Sequence, residues 1–298
     1  MIDGTLLDAV RIEMPQSARN VVRRSMSDAD RAAFDGVTLH AITYASAGRR
    51  IKGYMALPAA GQASYPAIIF NRGGSTERGA LTAEGAVMFA GLYAGWGFVC
   101  VASNYRGLGG SEGDAEEWGA GDVDDAMNLL PLLDSLGYVD TDRIGLVGGS
   151  RGGMMALMML ARTSRFRAAV TFGAPTMIHA CETTAYIRKT MQRYLPSGSI
   201  EHLEAERRSA VLWADKLSKT TPLLVLHGTG DRRVTPDHGL QLGLALQHCQ
   251  HPYKLIMYDN ADHVLAGRRN ESNADIRDWL THYVTNKSAL PRVGPHGA

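Results

Sequence analysis

Hydrophobic and polar residues change their spacing repeatedly along this chain, and the changes predict strands and helices in alternation. Over 37–44 and again over 50–57 apolar and polar residues roughly alternate, with Ala47 and Gly48 between them, which predicts an antiparallel hairpin. Short, mainly apolar runs follow at 65–70, 98–102, 144–147, 167–172, 222–226 and 253–258. Runs of this kind suit strands buried on both faces of a parallel sheet. Helical stretches lie between them, at about 80–95, 122–136, 154–160, 236–250 and 270–285. The alternation predicts an α/β fold: a mostly parallel central sheet with helices on both faces and functional loops at the carboxyl ends of the strands.

The pattern fails in two places. Residues 1–36 are mixed and charged and read as an N-terminal extension, with Ser27-Asp28-Ala29-Asp30 capping a short helix through Phe34. Residues 176–220 hold helical patterns but no strand, so they read as a helical cap inserted in the sheet's sequence. What remains is one domain over 37–286 and a frayed tail over 287–298.

Composition narrows the partners. Lys and Arg number 31 against 30 for Asp and Glu, so no overall field attracts nucleic acid or an anionic membrane surface. Cys100, Cys181 and Cys249 are odd in number and far apart, which argues against a disulfide framework or structural zinc and for a reducing compartment. The first residues, MIDGTLLDAVRIEMP, fit neither signal peptide nor anchor, and no later run approaches a membrane span. A cytoplasmic protein is expected, with its oligomeric state left open.

The chemistry centres on 143–160, RIGLVGGSRGGMMALMML, which reads as strand, sharp turn and helix. Gly148-Gly149-Ser150-Arg151-Gly152 fits G-x-S-x-G, where small residues let the serine occupy a tight, strained turn with its hydroxyl pushed outward. The helix N-terminus behind it offers free amides and a positive dipole end. Gly109-Gly110-Ser111-Glu112-Gly113 fits the same pattern, but no strand leads directly into it and an acidic stretch, not a helix, follows. Ser150 is therefore the candidate nucleophile. A serine needs a base and the base an orienting acid, in the chain order Ser, acid, His. Asp231 follows the strand at 222–226 and His263 follows the strand at 253–258, which makes them the expected acid and base.

Other residues compete for these roles. Asp259 and Asp262 are alternative acids, although Asp262 adjoins His263 in the chain. His227 reads as a residue packed beneath the site, His238 as part of a helix start, and His248, Cys249 and His251 as a helix end in preference to a metal site. The stretch Gly107-Leu108-Gly109 lacks the third glycine of a dinucleotide fingerprint and opens no helix, so no cofactor is expected. An oxyanion hole is expected from the amide of Arg151 and from the loop Asn71-Arg72-Gly73-Gly74, with Arg72 and Gly73 as its donors. In the cap, Met177, Tyr186, Met191, Tyr194 and Trp213 are the expected substrate lining. Glu201, Glu204 and Glu206 read as a solvated helix face.

Taken in order, IKGYMALP, FNRGG, NYRGLGGSEG, GGSRGG, RSAVLWADK, HGTGDRRV and the closing ADH resemble the α/β-hydrolase superfamily, and within it the catalytic domain of the prolyl-oligopeptidase family. The resemblance runs from about 37 to 284 and implies a Ser150, Asp231, His263 triad. Family members of this type carry a β-propeller ahead of the hydrolase domain, and the 36 residues before Val37 are too few for one; Arg72 stands where the family often has a tyrosine. The expected function is a cofactor-free serine hydrolase working through an acyl-enzyme on Ser150. Small acyl or aryl esters are the first expectation for its substrate. A short peptide cut by an oligopeptidase or aminopeptidase is the alternative, and a non-catalytic binding module is a remote third.

Overall fold

The computed structural model describes residues 1–180, 184–194 and 199–293; Cys181, the side chain of Glu201 and the end of the tail lie outside the described residues. The chain divides into two compact units, Met1–Leu146 and Val147–Ala298.

In the first unit the strands are β1 (Leu6–Ile12), β2 (Thr38–Ser46), β3 (Arg49–Leu57), β4 (Tyr65–Asn71) and β5 (Val99–Ser103), in the order β1-β2-β3-β5-β4. β2 and β3 form the expected hairpin, running from Thr38 opposite Leu57 to Ser46 opposite Arg49, and Ala47 and Gly48 turn the chain with φ of 48° and 76°. β3 is antiparallel to β5, and β4 lies parallel to β5. Every residue of β4 and β5 is buried, which is why both read as unbroken apolar runs. Cys100 sits in β5, where burial pushes its thiol well up from the ordinary value; it and Cys249 are free.

β1 departs from expectation. The N-terminal stretch contributes a strand that pairs antiparallel with β2, from Leu6 opposite Tyr44 to Ile12 opposite Leu39. Asp8, Ala9, Val10 and Arg11 are all exposed, so the strand carries no alternation to read. A helix over Gln16–Arg24 follows, and then the predicted one, Asp28–Asp35, whose Ser27 hydroxyl accepts from the Asp30 amide. The expected helix at 122–136 is two, Gly121–Met127 and Leu129–Ser135. Pro131 has no amide hydrogen to donate back to Met127, and the break falls between them.

β6 (Val139–Gly149) carries the chain into the second unit and ends at Ser150, where helix Arg151–Leu160 begins. In that unit β7 (Ala168–Phe172), β8 (Leu223–Gly228) and β9 (Tyr253–Tyr258) pair parallel in that order, with helices Asp237–His248 and Arg269–Leu280 between and after them. The stretch expected as a cap holds helices Ala185–Tyr194 and Ser199–Arg207 and the short turns Ala210–Leu212 and Ala214–Lys216. Among the described residues no helix is long and apolar enough to cross a membrane.

Candidate active site

Three strand ends and their loops, all in the second unit, bring the candidate residues together. After β6 the chain turns so sharply that Ser150 adopts φ 53°, ψ −125°, a conformation side chains rarely take, before entering the helix at Arg151. The glycines around it are required by contact. A Cβ on Gly148 would stand 2.2 Å from the Gly152 carbonyl oxygen, and one on Gly149 would stand 2.2 Å from the Phe172 ring. The Ser150 amide donates to the Phe172 carbonyl at 2.8 Å, and the Ser150 carbonyl accepts from Gly153 and Met154, so the backbone is committed and the side chain is left to the turn's outer face.

The hydroxyl of Ser150 lies 2.8 Å from His263 Nε2, and His263 Nδ1 lies 2.7 Å from Asp231 Oδ2. The aspartate side chain has no exposed surface and that of His263 is 9% exposed. Its second oxygen, Oδ1, accepts from the amides of Arg233 and Val234 at 2.8 and 3.0 Å. Burial pulls the Asp231 carboxyl upward, but bonds from His227, His263 and the Val234 amide outweigh it and hold the group well below the usual carboxylate range. A negative charge fixed behind an imidazole selects the tautomer with its proton on Nδ1 and leaves Nε2 free to accept from the hydroxyl.

The alternative acids are occupied elsewhere. Asp262 Oδ1 accepts from Val264 and Ala266, closing its own turn, and Asp259 takes a bond from Asn260. Ser111 Oγ accepts from the Lys52 amide at 2.9 Å and serves its loop. His248 and Cys249 end a helix, and buried His251 bonds the Thr221 carbonyl; among the described residues no group of three His, Cys, Asp or Glu could hold a metal.

Arg151, the first helical residue, is 2% exposed, and the helix it opens presents its amides toward the serine turn. In the first unit Arg72 is equally buried, and its guanidinium donates to the carbonyls of Gly73, Gly79 and Asn104 and stacks 4.6 Å over Tyr105, so its charge ties its own loop to the one after β5. Of the cap residues, Met177, Met191, Tyr194 and Trp213 are half-buried, while Tyr186 is exposed. Trp213 donates its indole N–H to Glu206 O. Glu204, expected on a solvated helix face, is largely buried and pairs with the buried Arg208 as well as with exposed Arg207, while Glu206 pairs with exposed His202.

Two residues that matter here were given no part in the site by the sequence, although His238 does lie at the helix start expected for it. Gly173, at φ 57°, leaves no room for a side chain: its Cβ would stand 2.9 Å from the His263 carbonyl oxygen and 3.2 Å from Nδ1. The signal was present in Gly173-Ala174-Pro175 closing β7. His238 accepts on Nδ1 from the amides of Thr176 and Met177, at 2.8 and 3.1 Å, and anchors the start of the cap segment. Nothing in the sequence around His238 announces that partner, which lies 62 residues away.

The model of the prolyl oligopeptidase family matches residues 88–287. The chain belongs to this family. It is a serine hydrolase of the prolyl-oligopeptidase, peptidase-like kind. It is similar to the uncharacterized peptidase YtmA of Bacillus subtilis (strain 168), at 29% identity over 254 residues, covering 84% of this chain and 95% of that protein. It is also similar to the uncharacterized peptidase YuxL of the same organism, at 29% identity over 74% of this chain but only 34% of that protein. Among solved structures, a Mycobacterium tuberculosis puromycin-hydrolyzing peptidase superposes with a TM-score of 0.68 at 25% identity, over 80% of this chain and 38% of that one. The Pyrococcus horikoshii acylaminoacyl peptidase superposes with a TM-score of 0.72 at 17% identity, over 89% and 43%, and shares the α/β-hydrolase fold. The chain thus spans less than half the length of these two structures.

Proposed function

We propose that Ser150, His263 and Asp231 act as the catalytic triad of a serine peptidase that cuts short peptides or aminoacyl amides. The observation that carries this is the unbroken relay from Ser150 Oγ through His263 to a buried, ionised Asp231, at 2.8 and 2.7 Å. In this reading His263 removes the hydroxyl proton as Ser150 attacks the scissile carbonyl, then returns it to the leaving amine. Asp231 stabilises the imidazolium without itself taking the proton. The amide of Arg151 supplies one donor to the oxyanion. Water activated by the same histidine then releases the acyl group.

The choice of peptide over ester rests on kinship. YtmA, YuxL and both structural neighbours bear peptidase names, whereas the ester expectation rested on apolar cap residues, of which Tyr186 is exposed. Esters are intrinsically easier to cleave, so ester turnover accompanies either reading. A panel of aminoacyl nitroanilides, unmodified di- and tripeptides and short nitrophenyl esters tests the choice. Peptide or aminoacyl-amide turnover within about tenfold of the best ester is expected. Ester turnover with amides at background would return the ester reading.

A further inference from the structure

We propose that His227 is a positioning residue for Asp231: its Nε2–H staples the 231–234 turn that aims the carboxylate at His263. This rests on the triad reading above. His227 ends β8 and is 1% exposed. Its Nε2 lies 2.9 Å from the Val234 carbonyl oxygen. A carbonyl only accepts, so Nε2 carries the proton and the tautomer is set. The same nitrogen stands 3.5 Å from Asp231 Oδ2, the oxygen that faces His263. Val234 closes the ring of contacts, since its amide donates to Asp231 Oδ1 while its carbonyl accepts from His227.

The carboxylate is therefore held on Oδ1 by the amides of its own four-residue turn while Oδ2 faces His263, and the turn is tied to β8 at its start by the Asp231 amide on the Gly228 carbonyl and at its end by the His227 imidazole. Without the staple the Arg233 and Val234 amides would still bond Asp231, and the Asp231 amide and Arg233 carbonyl would keep their own partners, but the Val234 end of the turn would lose its tie to β8. A buried histidine kept only for packing would be indifferent to losing its N–H. Helix Asp237–His248 backs the ring: a Cβ on Gly239 would stand 3.0 Å from Cβ and Nδ1 of His227, so the helix approaches as closely as glycine allows. Small errors in the placement of a catalytic group cost rate steeply, about 10²-fold for 1 Å.

The test is the rate at which a fluorophosphonate probe labels the full chain, followed to saturation so that the limiting rate and the half-saturating concentration separate. His227→Leu keeps the bulk and removes the donor; His227→Gln returns an N–H near the Nε2 position. His227→Leu should label at least about tenfold more slowly at saturating probe, with half-saturation within about twofold of wild type. His227→Gln should recover to within about threefold of wild type. Wild-type labelling by His227→Leu overturns the proposal, and so does equal slowing in both variants when both keep the native circular dichroism. If His227→Leu does not fold, Gly239→Ala, which presses on the ring without removing it, should slow labelling at least about twofold, and unchanged labelling there overturns the proposal. Ser150→Ala separates the two levels: labelling that survives it sinks the triad itself, whereas a silent Ser150→Ala beside a fully active His227→Leu sinks only the role of His227.

Discussion

The chain writes G-x-S-x-G twice, and the two turns do opposite things. At 109–113 the positive φ values fall on Gly109, Gly110 and Gly113, at 56°, 78° and 116°, and Ser111 turns its oxygen to the Lys52 amide of β3. The glycines absorb the backbone's demands and the serine is an ordinary loop acceptor. At 148–152 the positive φ falls on the serine itself. Its neighbours are glycines because backbone and ring atoms crowd them, and its hydroxyl meets His263. The five-letter pattern is the same, and the difference lies in which residue bears the strain. A serine held at about 1–3 kcal/mol of conformational cost persists only where surrounding structure over-determines it. Here β6 ahead and the helix from Arg151 behind supply that structure.

Removing each hydroxyl is the most direct way to break this contrast. Ser150→Ala should lower turnover by about 10⁴- to 10⁶-fold, and adding His263→Ala should cost little more because the two act as one unit. Steady-state turnover and fluorophosphonate labelling check this; a Ser150→Ala enzyme with a tenth of wild-type activity would show that the strained turn is not the reactive one. Next in size is Asp231→Asn. Its amide cannot stabilise the imidazolium and favours the wrong tautomer, so a loss of about 10³- to 10⁴-fold is expected in a folded protein. Full activity would move the acid to Asp259 or Asp262.

The contrast also explains what could be read without coordinates. Context distinguished Ser150 from Ser111 because a buried strand and an apolar helix leave strong local signals at 144–147 and 154–160. The placement of Asp231 and His263 just past β8 and β9 was legible because each follows a short, mainly apolar run of strand length. β1 was not legible, since an exposed edge strand buries too little to show a period of two. The Leu129 restart within 122–136 had its signal in Pro131, but the leucines on either side of that proline read as the continuation of one helix. Partnerships across long separations, such as His238 with Thr176, leave no periodicity at all.

Acid should act unequally on the two regions. The loop at 107–118 contains no histidine, whereas in the second unit the buried His238 is pushed down to about 4, by desolvation above all. Unfolded, His238 titrates near 6.5. Between those values the unfolded chain binds the extra proton, so stability is fully present above about pH 6.5 and is lost as pH falls toward 4, by at most about 3 kcal/mol. Urea midpoints at pH 7 and pH 5 should differ less in His238→Gln than in wild type. An equal slope would remove His238 from the account. Smaller still is Gly173→Ala, whose methyl meets the His263 carbonyl oxygen at 2.9 Å from a φ of 57°. A roughly 10- to 100-fold fall in turnover is expected, with about 1–2 kcal/mol of lost stability. Turnover unchanged beside that stability loss would mean His263 tolerates displacement.

The smallest expected effect is at the other turn. Ser111→Ala removes the acceptor for the Lys52 amide, a 2.9 Å bond that ties the loop to the edge of β3, where the Glu112 amide also donates to the Arg50 carbonyl. The loop keeps its heavier fastenings: the buried Arg106 guanidinium remains on Asp125 at 3.0 Å, and the Arg50 amide remains on the Glu112 carboxylate at 2.8 Å. Only one half-buried amide loses its partner, and water can reach it in part. The cost should be about 1 kcal/mol of stability, with turnover within twofold of wild type. Denaturant unfolding and turnover measured on the same preparation check both numbers. A Ser111→Ala protein of unchanged stability whose turnover had fallen tenfold would place chemistry in the relaxed turn, and the distinction between the two G-x-S-x-G sites would fail where it is simplest.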